Sequence, residues 1–101
     1  LDKTHLLKIV DLMLDDVNTR LSSNGIHIHV TDKVKEKLVD LGYDPKMGAR
    51  PLRRTIQDQI EDAITDYYLE HPSDKELRAV MTSNGRIIVK SAHKEKGETS
   101  N

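Results

Sequence analysis

The prolines at positions 51 and 72 bracket the longest stretch of this sequence with a helical apolar pattern. Pro51 suits the first turn of a helix, where its missing N–H costs nothing. His71-Pro72 ends the helix, because the residue before a proline is pushed out of the helical region. The pattern therefore predicts a long helix from Arg50 or Pro51 to Glu70. Its apolar face is formed by Leu52, Ile56, Ile60, Ala63, Ile64 and Tyr67.

Two further helices are predicted to cover that face. The first runs over residues 4–22 and is apolar around much of its circumference, which is typical of a helix with more than one neighbour. The second begins at Thr31 or Asp32, either of which can cap it, and ends at Leu41 before Gly42.

Three short segments have the pattern of strands. Residues 26–30 alternate strictly between apolar and polar side chains. Asn84-Gly85 marks a hairpin between strands at 77–82 and 86–90. The predicted fold class is α+β, with a three-helix core and a small two- or three-stranded sheet, in the order helix, strand, helix, helix, strand, strand.

Composition narrows the possible functions. Sixteen Lys and Arg against seventeen Asp and Glu give a net charge of −1, which excludes a global basic field for nucleic acid. The absence of Cys excludes disulfides and thiolate metal sites and is compatible with the cytoplasm. No apolar run is long enough to span a membrane, so we expect no membrane as a partner. The net charge of −1 leads us to expect no nucleic acid as a partner either.

The chain opens in helical sequence without Met, so we expect a piece of a longer protein. We expect one domain over residues 1–91 and a disordered polar tail over residues 92–101.

The loop before the long helix has an unusual charge arrangement. Arg50, Arg53 and Arg54 crowd the start of that helix, where the helix dipole disfavours each cation by ~0.3–1 kcal/mol. A phosphate or carboxylate ligand would reverse this penalty. Pairing with Asp44, Asp58 or another acid of the chain is the alternative, since most arginines on helices are solvated or weakly paired.

Other residues of this loop have structural interpretations. Gly48 would let backbone approach closely. Tyr43 is interpreted as a packing residue with a hydroxyl tether, and Asp44 as a buttress of the loop rather than a base.

The loop also carries a family resemblance. Its string, Gly42-Tyr43-Asp44-Pro45 followed by Gly48-Ala49-Arg50-Pro51-Leu52-Arg53-Arg54, then Ile56 and Ile60-Glu61, resembles the C-terminal small domain of the second AAA+ module in Clp ATPases. These are the ClpB, ClpC, ClpE and ClpL group of ring-forming unfoldases and disaggregases. The first helix, with Ile9-Val10 and Leu12, is also similar, and the resemblance covers about residues 1–90.

The resemblance implies a nucleotide-sensing lid domain. Arg50 would be the sensor-two residue that reaches the phosphates of ATP, and Ala49 would lie beside the nucleotide. Ile9 and Met13 would form an apolar wall near the adenine, although ordinary core packing explains both equally well. Arg53 and Arg54 would contact a neighbouring subunit, with exposed surface as the alternative.

The resemblance also implies a cofactor and partners. Mg-ATP would be held mainly by the large AAA+ domain of the same chain, because this sequence has no Walker A motif and should not hydrolyse ATP alone. Further partners would be neighbouring subunits of a hexameric ring and unfolded or aggregated protein substrates, with a Clp peptidase left open. The parent would be a cytoplasmic ATPase.

Three alternatives remain from the residues alone. A winged-helix DNA-binding module has a similar element order, but the long helix becomes acidic after its first turn, which would repel a phosphate backbone. A purely structural oligomerisation domain is the second. The third is a metal site held by His27 and His29, which share one strand face. The sequence shows no third ligand for it, so we expect no bound metal.

Overall fold

The computed structural model describes residues 2–92 and confirms the predicted α+β fold class and element order. The elements are α1 (Lys3–Ser22), β1 (His27–Val30), α2 (Asp32–Gly42), α3 (Leu52–Ile56), α4 (Asp62–Glu70), β2 (Glu76–Met81) and β3 (Ile87–Ser91). A π-helical turn, Gln57–Glu61, joins α3 and α4 into the long helix. Residues 93–101 of the predicted tail lie outside the described residues.

The sheet has three strands in the order β1-β2-β3. β1 runs parallel to β2, and β2 runs antiparallel to β3. The predicted hairpin turn is confirmed: Gly85 takes a φ of +82°, which glycine adopts without strain, and its N–H donates to the Thr82 carbonyl. Nearly half of the chain lies between the two strands that pair in parallel.

One face of the sheet packs with the helices around an aliphatic core. The buried apolar residues are Leu6, Val10, Leu14, Val17, Ile26, Ile28, Val30, Val34, Leu38, Val39, Leu52, Ile56, Ile60, Ile64, Leu77 and Ala79. The other sheet face carries His27 and His29, both exposed, so the alternation in this strand predicted its buried side correctly. In residues 2–92, no helix is both long and apolar enough to cross a bilayer.

The long helix differs from the predicted one in two respects. It begins at Leu52 with Pro51 at the N-cap position, and its middle is π-helical rather than α-helical. Its buried residues Leu52, Ile56, Ile60 and Ile64 recur at every fourth position. In an α-helix of 3.6 residues per turn, residues spaced by four would drift steadily around the helix and leave the core. A π-helical turn contains more residues than an α-helical turn, so all four residues stay on the side that faces the core.

At the outer edge of β1, a side chain from α1 bonds to the backbone of Ile28. The Ile28 N–H donates to Asn18 Oδ1 at 2.8 Å, and Asn18 Nδ2 donates to the Ile28 carbonyl at 3.0 Å. One amide thus satisfies both backbone groups that Ile28 would otherwise present to another strand. This contact is not predictable from the sequence, because nothing in a helical pattern shows which backbone groups an asparagine will meet.

The C-terminal end of the long helix is held by aromatic and polar contacts, here called the Tyr67 corner (Tyr67, Tyr68, His71, Asp74 and Lys75). Tyr67 Oη lies 2.7 Å from Asp74 Oδ2, and the Tyr67 and His71 ring centroids are 4.5 Å apart. Lys75 Nζ lies 5.3 Å from the centre of the Tyr68 ring. Burial, followed by the hydrogen bond to and the charge of Asp74, raises the pKa of Tyr67 to about 12.

Candidate functional site

The candidate site is the Arg50 loop (residues 43–51) between α2 and the long helix, and backbone bonds fix its shape. The Asp44 N–H donates to the Gly48 carbonyl at 3.0 Å, and the Gly48 N–H donates to the Asp44 carbonyl at 2.6 Å. The Asp44 carboxylate accepts from the Lys46 N–H at 2.8 Å. Asp44 therefore stabilises the loop, as its sequence interpretation predicted.

Two glycines make this loop possible for different reasons. Gly48 has a φ of +65°, and a Cβ on it would meet no atom within 4 Å. The expectation of a close backbone approach at Gly48 is therefore wrong, because left-handed backbone is what requires glycine there. The close approach is at Gly42, where a Cβ would lie 2.6 Å from Leu52 Cδ2 and 3.0 Å from Leu52 Cα.

Arg50 lies near the end of this loop, in a tight turn. Its N–H donates to the Met47 carbonyl at 3.3 Å, and the Leu52 N–H donates to the Ala49 carbonyl at 3.0 Å. Its side chain is exposed and makes no hydrogen bond or ion pair with any residue of the described range 2–92. The backbone on both sides of Arg50 is thus fixed while its guanidinium is left without a partner in this part of the chain.

The other two arginines differ from each other. Arg53 is exposed and likewise has no ion pair within residues 2–92. Arg54 Nε lies 3.8 Å from Asp58 Oδ2 one helical turn away, but the Arg54 side chain is 82 % exposed, so the pair is weak. The alternative of pairing within the chain is therefore contradicted for Arg50 and Arg53 in the described range and holds only for Arg54.

Tyr43 departs from its sequence interpretation. It is 42 % exposed, and its hydroxyl has no hydrogen-bond partner within residues 2–92, so the expected tether is absent there. Met47 in the same loop is 51 % exposed. The Arg50 loop therefore presents apolar as well as cationic side chains to its surroundings.

The residues expected near the nucleotide base lie at the margin of the core. Ile9 and Met13 on α1, and Ala49 in the loop, are each partly buried and packed against the core cluster. α1 and α3 are in contact, so these positions belong to neighbouring elements. Ordinary core packing accounts for all three, and a wall beside an adenine stays a prediction.

The two histidines of β1 have a surface environment. His27 Nδ1 lies 3.9 Å from Glu76 Oε1, with both side chains about half exposed. No group of three or more His, Asp or Glu side chains within residues 2–92 is placed to hold a metal ion. The structure thus adds no third ligand to this pair in the described range.

The loop and the fold around it match a known family. Residues 1–81 match the family model described as the C-terminal, D2-small domain, of ClpB protein. The chain belongs to this family. The match extends from α1 through β2 and includes the whole Arg50 loop, so the resemblance given by the Gly42–Arg54 string is confirmed.

Relatives of this D2-small domain carry names from the same group. An ATP-dependent Clp protease ATP-binding subunit ClpE of Streptococcus pneumoniae is 77 % identical over 94 residues, covering 93 % of this chain and 12 % of the relative. The ClpE of Bacillus subtilis is 52 % identical over 71 residues, 70 % of this chain and 10 % of the relative. A ClpL of Staphylococcus aureus is 43 % identical over 88 residues, 87 % of this chain and 12 % of the relative. The chain thus spans about an eighth of the length of these relatives.

Proposed function

We propose that this D2-small domain is the lid of an ATP-dependent Clp ATPase and that Arg50 is its nucleotide-sensing residue. The observation that carries the proposal is the state of Arg50, whose backbone is fixed by the loop while its guanidinium has no partner within residues 2–92. An exposed arginine without a partner adds nothing to the stability of this domain. Its planar, permanently charged guanidinium is suited to binding a phosphoryl group.

The chemistry of such a sensor follows from its charge. A guanidinium beside the terminal phosphate stabilises charge that develops during phosphoryl transfer. The same guanidinium loses a partner once the phosphate has left, so the lid and the rest of the ATPase favour different relative positions before and after hydrolysis. Mg-ATP itself would be bound mainly by the large AAA+ domain, with Ala49 beside the nucleotide and with Ile9 and Met13 near the adenine.

The parent protein would be a cytoplasmic hexamer that remodels unfolded or aggregated proteins. Arg53 and Arg54 would contact the neighbouring subunit, and Arg53 is the stronger candidate because Arg54 already has Asp58 as a partner. The name of the ClpE and ClpL relatives includes a Clp protease, which supports a peptidase as a further partner of the parent.

The test is ATP hydrolysis by the full-length parent carrying Arg50→Ala. We expect turnover to fall tenfold or more with nucleotide affinity retained, which corresponds to ~1.4 kcal/mol or more of transition-state stabilisation. Arg50→Lys should recover only part of the rate, because an ammonium lacks the bidentate fork.

Arg20→Ala is the matched control, since Arg20 is another exposed arginine but has its own partner, with Nη2 3.2 Å from Glu61 Oε1, and lies outside the Arg50 loop. Its turnover should stay close to that of the unaltered parent, provided that the hexamer forms. Unchanged turnover in Arg50→Ala would contradict sensing and would favour a role of this domain in ring assembly instead.

A further inference from the structure

The edge of β3 that faces away from β2 forms one side of a groove on the surface of this domain, and no other strand of residues 2–92 pairs with it. The groove has a volume of about 250 Å³ and runs between β3 and α4. It is lined by Ala63, Asp66, Tyr67 and Glu70 of α4 and by Ile87, Ile88 and Val89 of β3. The helix residues recur at intervals of three and four, so they form one stripe of α4 that faces the strand.

The backbone of β3 presents unpaired groups along this groove. In an antiparallel pair, hydrogen-bonded and non-hydrogen-bonded residue pairs alternate. Thr82 donates to the Arg86 carbonyl, so Ile88, opposite Val80, bonds to β2 while Ile87 and Val89 direct their N–H and C=O groups outward. Ile87 and Val89 have no other hydrogen-bond partner within residues 2–92.

The two edges of the sheet are treated differently. At the edge of β1, Asn18 bonds both outward backbone groups of Ile28. The edge at β3 carries three consecutive β-branched apolar residues, and Ile88 among them is 42 % exposed. An open apolar edge of this kind readily accepts another strand, and folded proteins ordinarily protect such edges.

The rim of the groove specifies the charge of the added strand. Asp66 and Glu70 are exposed, and neither carboxylate has an ion pair or hydrogen bond within residues 2–92. The floor next to them is formed by Ala63, Tyr67 and Val89. Successive side chains of a strand point to opposite faces, so the side chains that meet α4 are two positions apart. An extended segment in which apolar residues alternate with Lys or Arg along that one face would satisfy both surfaces at once.

We propose that the β3 edge and its groove bind an extended, basic and apolar peptide segment of another protein by strand addition. The bound segment would form backbone hydrogen bonds to Ile87 and Val89, place apolar side chains over Ala63 and Tyr67, and pair its cations with Asp66 and Glu70. This site is separate from the Arg50 loop and does not depend on nucleotide sensing.

The probe is a labelled eight-residue peptide with Val and Lys in turn at its odd positions and Ser at its even positions, titrated into the 101-residue chain and followed by fluorescence anisotropy. A Glu and Val peptide of the same pattern is the matched control. We expect the Lys and Val peptide to bind about fivefold or more tightly than the control at low salt. Equal binding of the two peptides, or binding of neither, overturns the proposal.

Amide hydrogen exchange distinguishes strand addition from other contacts. The peptide should slow exchange at Ile87 and Val89 and leave Ile88, which is already bonded to β2, nearly unchanged. Protection of all three amides alike, or of none, contradicts strand addition.

Two variants assign the backbone and the charge contributions. Val89→Pro removes an outward N–H without removing a bond to β2 and should abolish detectable binding. Asp66→Asn with Glu70→Gln keeps the backbone edge and should weaken binding by about threefold or more. If this surface variant binds like the unaltered chain, the assigned charge complementarity is wrong.

Competing occupants give distinct results. Sedimentation that shows dimerisation of the 101-residue chain, lost in Val89→Pro, would make a second copy the occupant and overturn the proposal. Peptide binding that appears only when the chain is shortened to end at Ala92 would make residues 93–101 the occupant, and would overturn it as well.

Discussion

The two ends of the long helix are built in opposite ways. At its start, the Arg50 loop is held by backbone bonds, and the side chains of Tyr43, Arg50 and Arg53 have no partner within residues 2–92. At its end, the Tyr67 corner is held by side chains that pair with one another, as Tyr67 does with Asp74 and His71. The helix thus connects a corner whose side chains stabilise this domain to a loop whose side chains are exposed and could bind a ligand or another domain.

This difference separates residues by what their removal should affect. Groups that fix the backbone of the loop, or the side chains of the corner, should change the free energy of unfolding. The exposed arginines of the loop should leave that free energy nearly unchanged and affect only the activity of the parent. The comparison fails if the arginines prove to be as important for stability as the corner.

The largest effect on stability should come from Gly42→Ala. A Cβ at this position would lie 2.6 Å from Leu52 Cδ2 and 3.0 Å from Leu52 Cα, so α2 and the start of α3 would have to separate. We expect a loss of about 1–3 kcal/mol in the free energy of unfolding, measured by urea denaturation. Gly25→Ala is the control for glycine loss without a clash, because nothing lies within 4 Å of its Cβ position, although its φ of +73° adds strain. A loss of less than about 0.5 kcal/mol in Gly42→Ala would contradict the close approach.

The next effect should come from the Tyr67 corner. Tyr67→Phe removes the hydroxyl that lies 2.7 Å from Asp74 and keeps the ring beside His71. We expect a loss of about 0.5–1.5 kcal/mol at neutral pH, read from the denaturation midpoint. Tyr68→Phe, which keeps the ring near Lys75, is the matched control and should cost less.

The same tyrosine predicts a dependence on pH. Folding raises the pKa of Tyr67 from 10.0 to about 12, so the folded state holds this proton more tightly than the unfolded state. The resulting stability is fully present below pH 10 and is lost as the pH rises through the folded pKa near 12. Thermal melts across this range should fall less steeply in Tyr67→Phe, and parallel curves for the two proteins would count against the shift.

Asp44 should have a modest effect on stability and a larger one on activity. Asp44→Ala removes the acceptor of the Lys46 N–H and should cost about 0.5–1 kcal/mol, whereas Asp44→Asn keeps a side-chain oxygen there and should cost less. In the parent, Asp44→Ala should lower ATP turnover, with Asn restoring most of it. If Asp44 acts through Arg50, adding Asp44→Ala to Arg50→Ala should lower turnover no further.

The smallest effect should come from the arginines. Arg53→Ala should change the free energy of unfolding by no more than about 0.5 kcal/mol and in the stabilising direction, because it removes from a helix N-terminus a cation that has no ion pair within residues 2–92. Urea denaturation at low salt gives the most sensitive comparison, since salt screens such effects. A loss of more than about 1 kcal/mol would reveal a structural role that the contacts do not show.

Short-range signals account for the part of the fold that the sequence predicts. The helical spacing of α1, the alternation of β1 and the Asn84-Gly85 turn each depend on residues near one another, and all three elements are present. The Gly42–Arg54 string located the candidate loop and gave its family. In each case the residues that determine the element lie close together in the sequence.

Contacts between distant residues account for what was missed. The amide of Asn18 meets Ile28 only because α1 folds back on β1. Arg50 has no ion pair within residues 2–92 because of where each acid of that range lies. The π-helical turn is an exception with a readable signal. Four buried residues spaced by four from Leu52 to Ile64 exceed the α-helical repeat, which indicates a local change of period.

The parallel pairing of β1 with β2 has a consequence for the order of folding. The hairpin of β2 and β3 closes a short loop and can form early, and α1 needs only local contacts. The β1–β2 ladder must wait until α2, the Arg50 loop and the long helix have brought the strands together. During synthesis, the edge of β1 that pairs with β2 therefore has no partner strand until β2 has left the ribosome, so a chain that stalls within the long helix should be the aggregation-prone species.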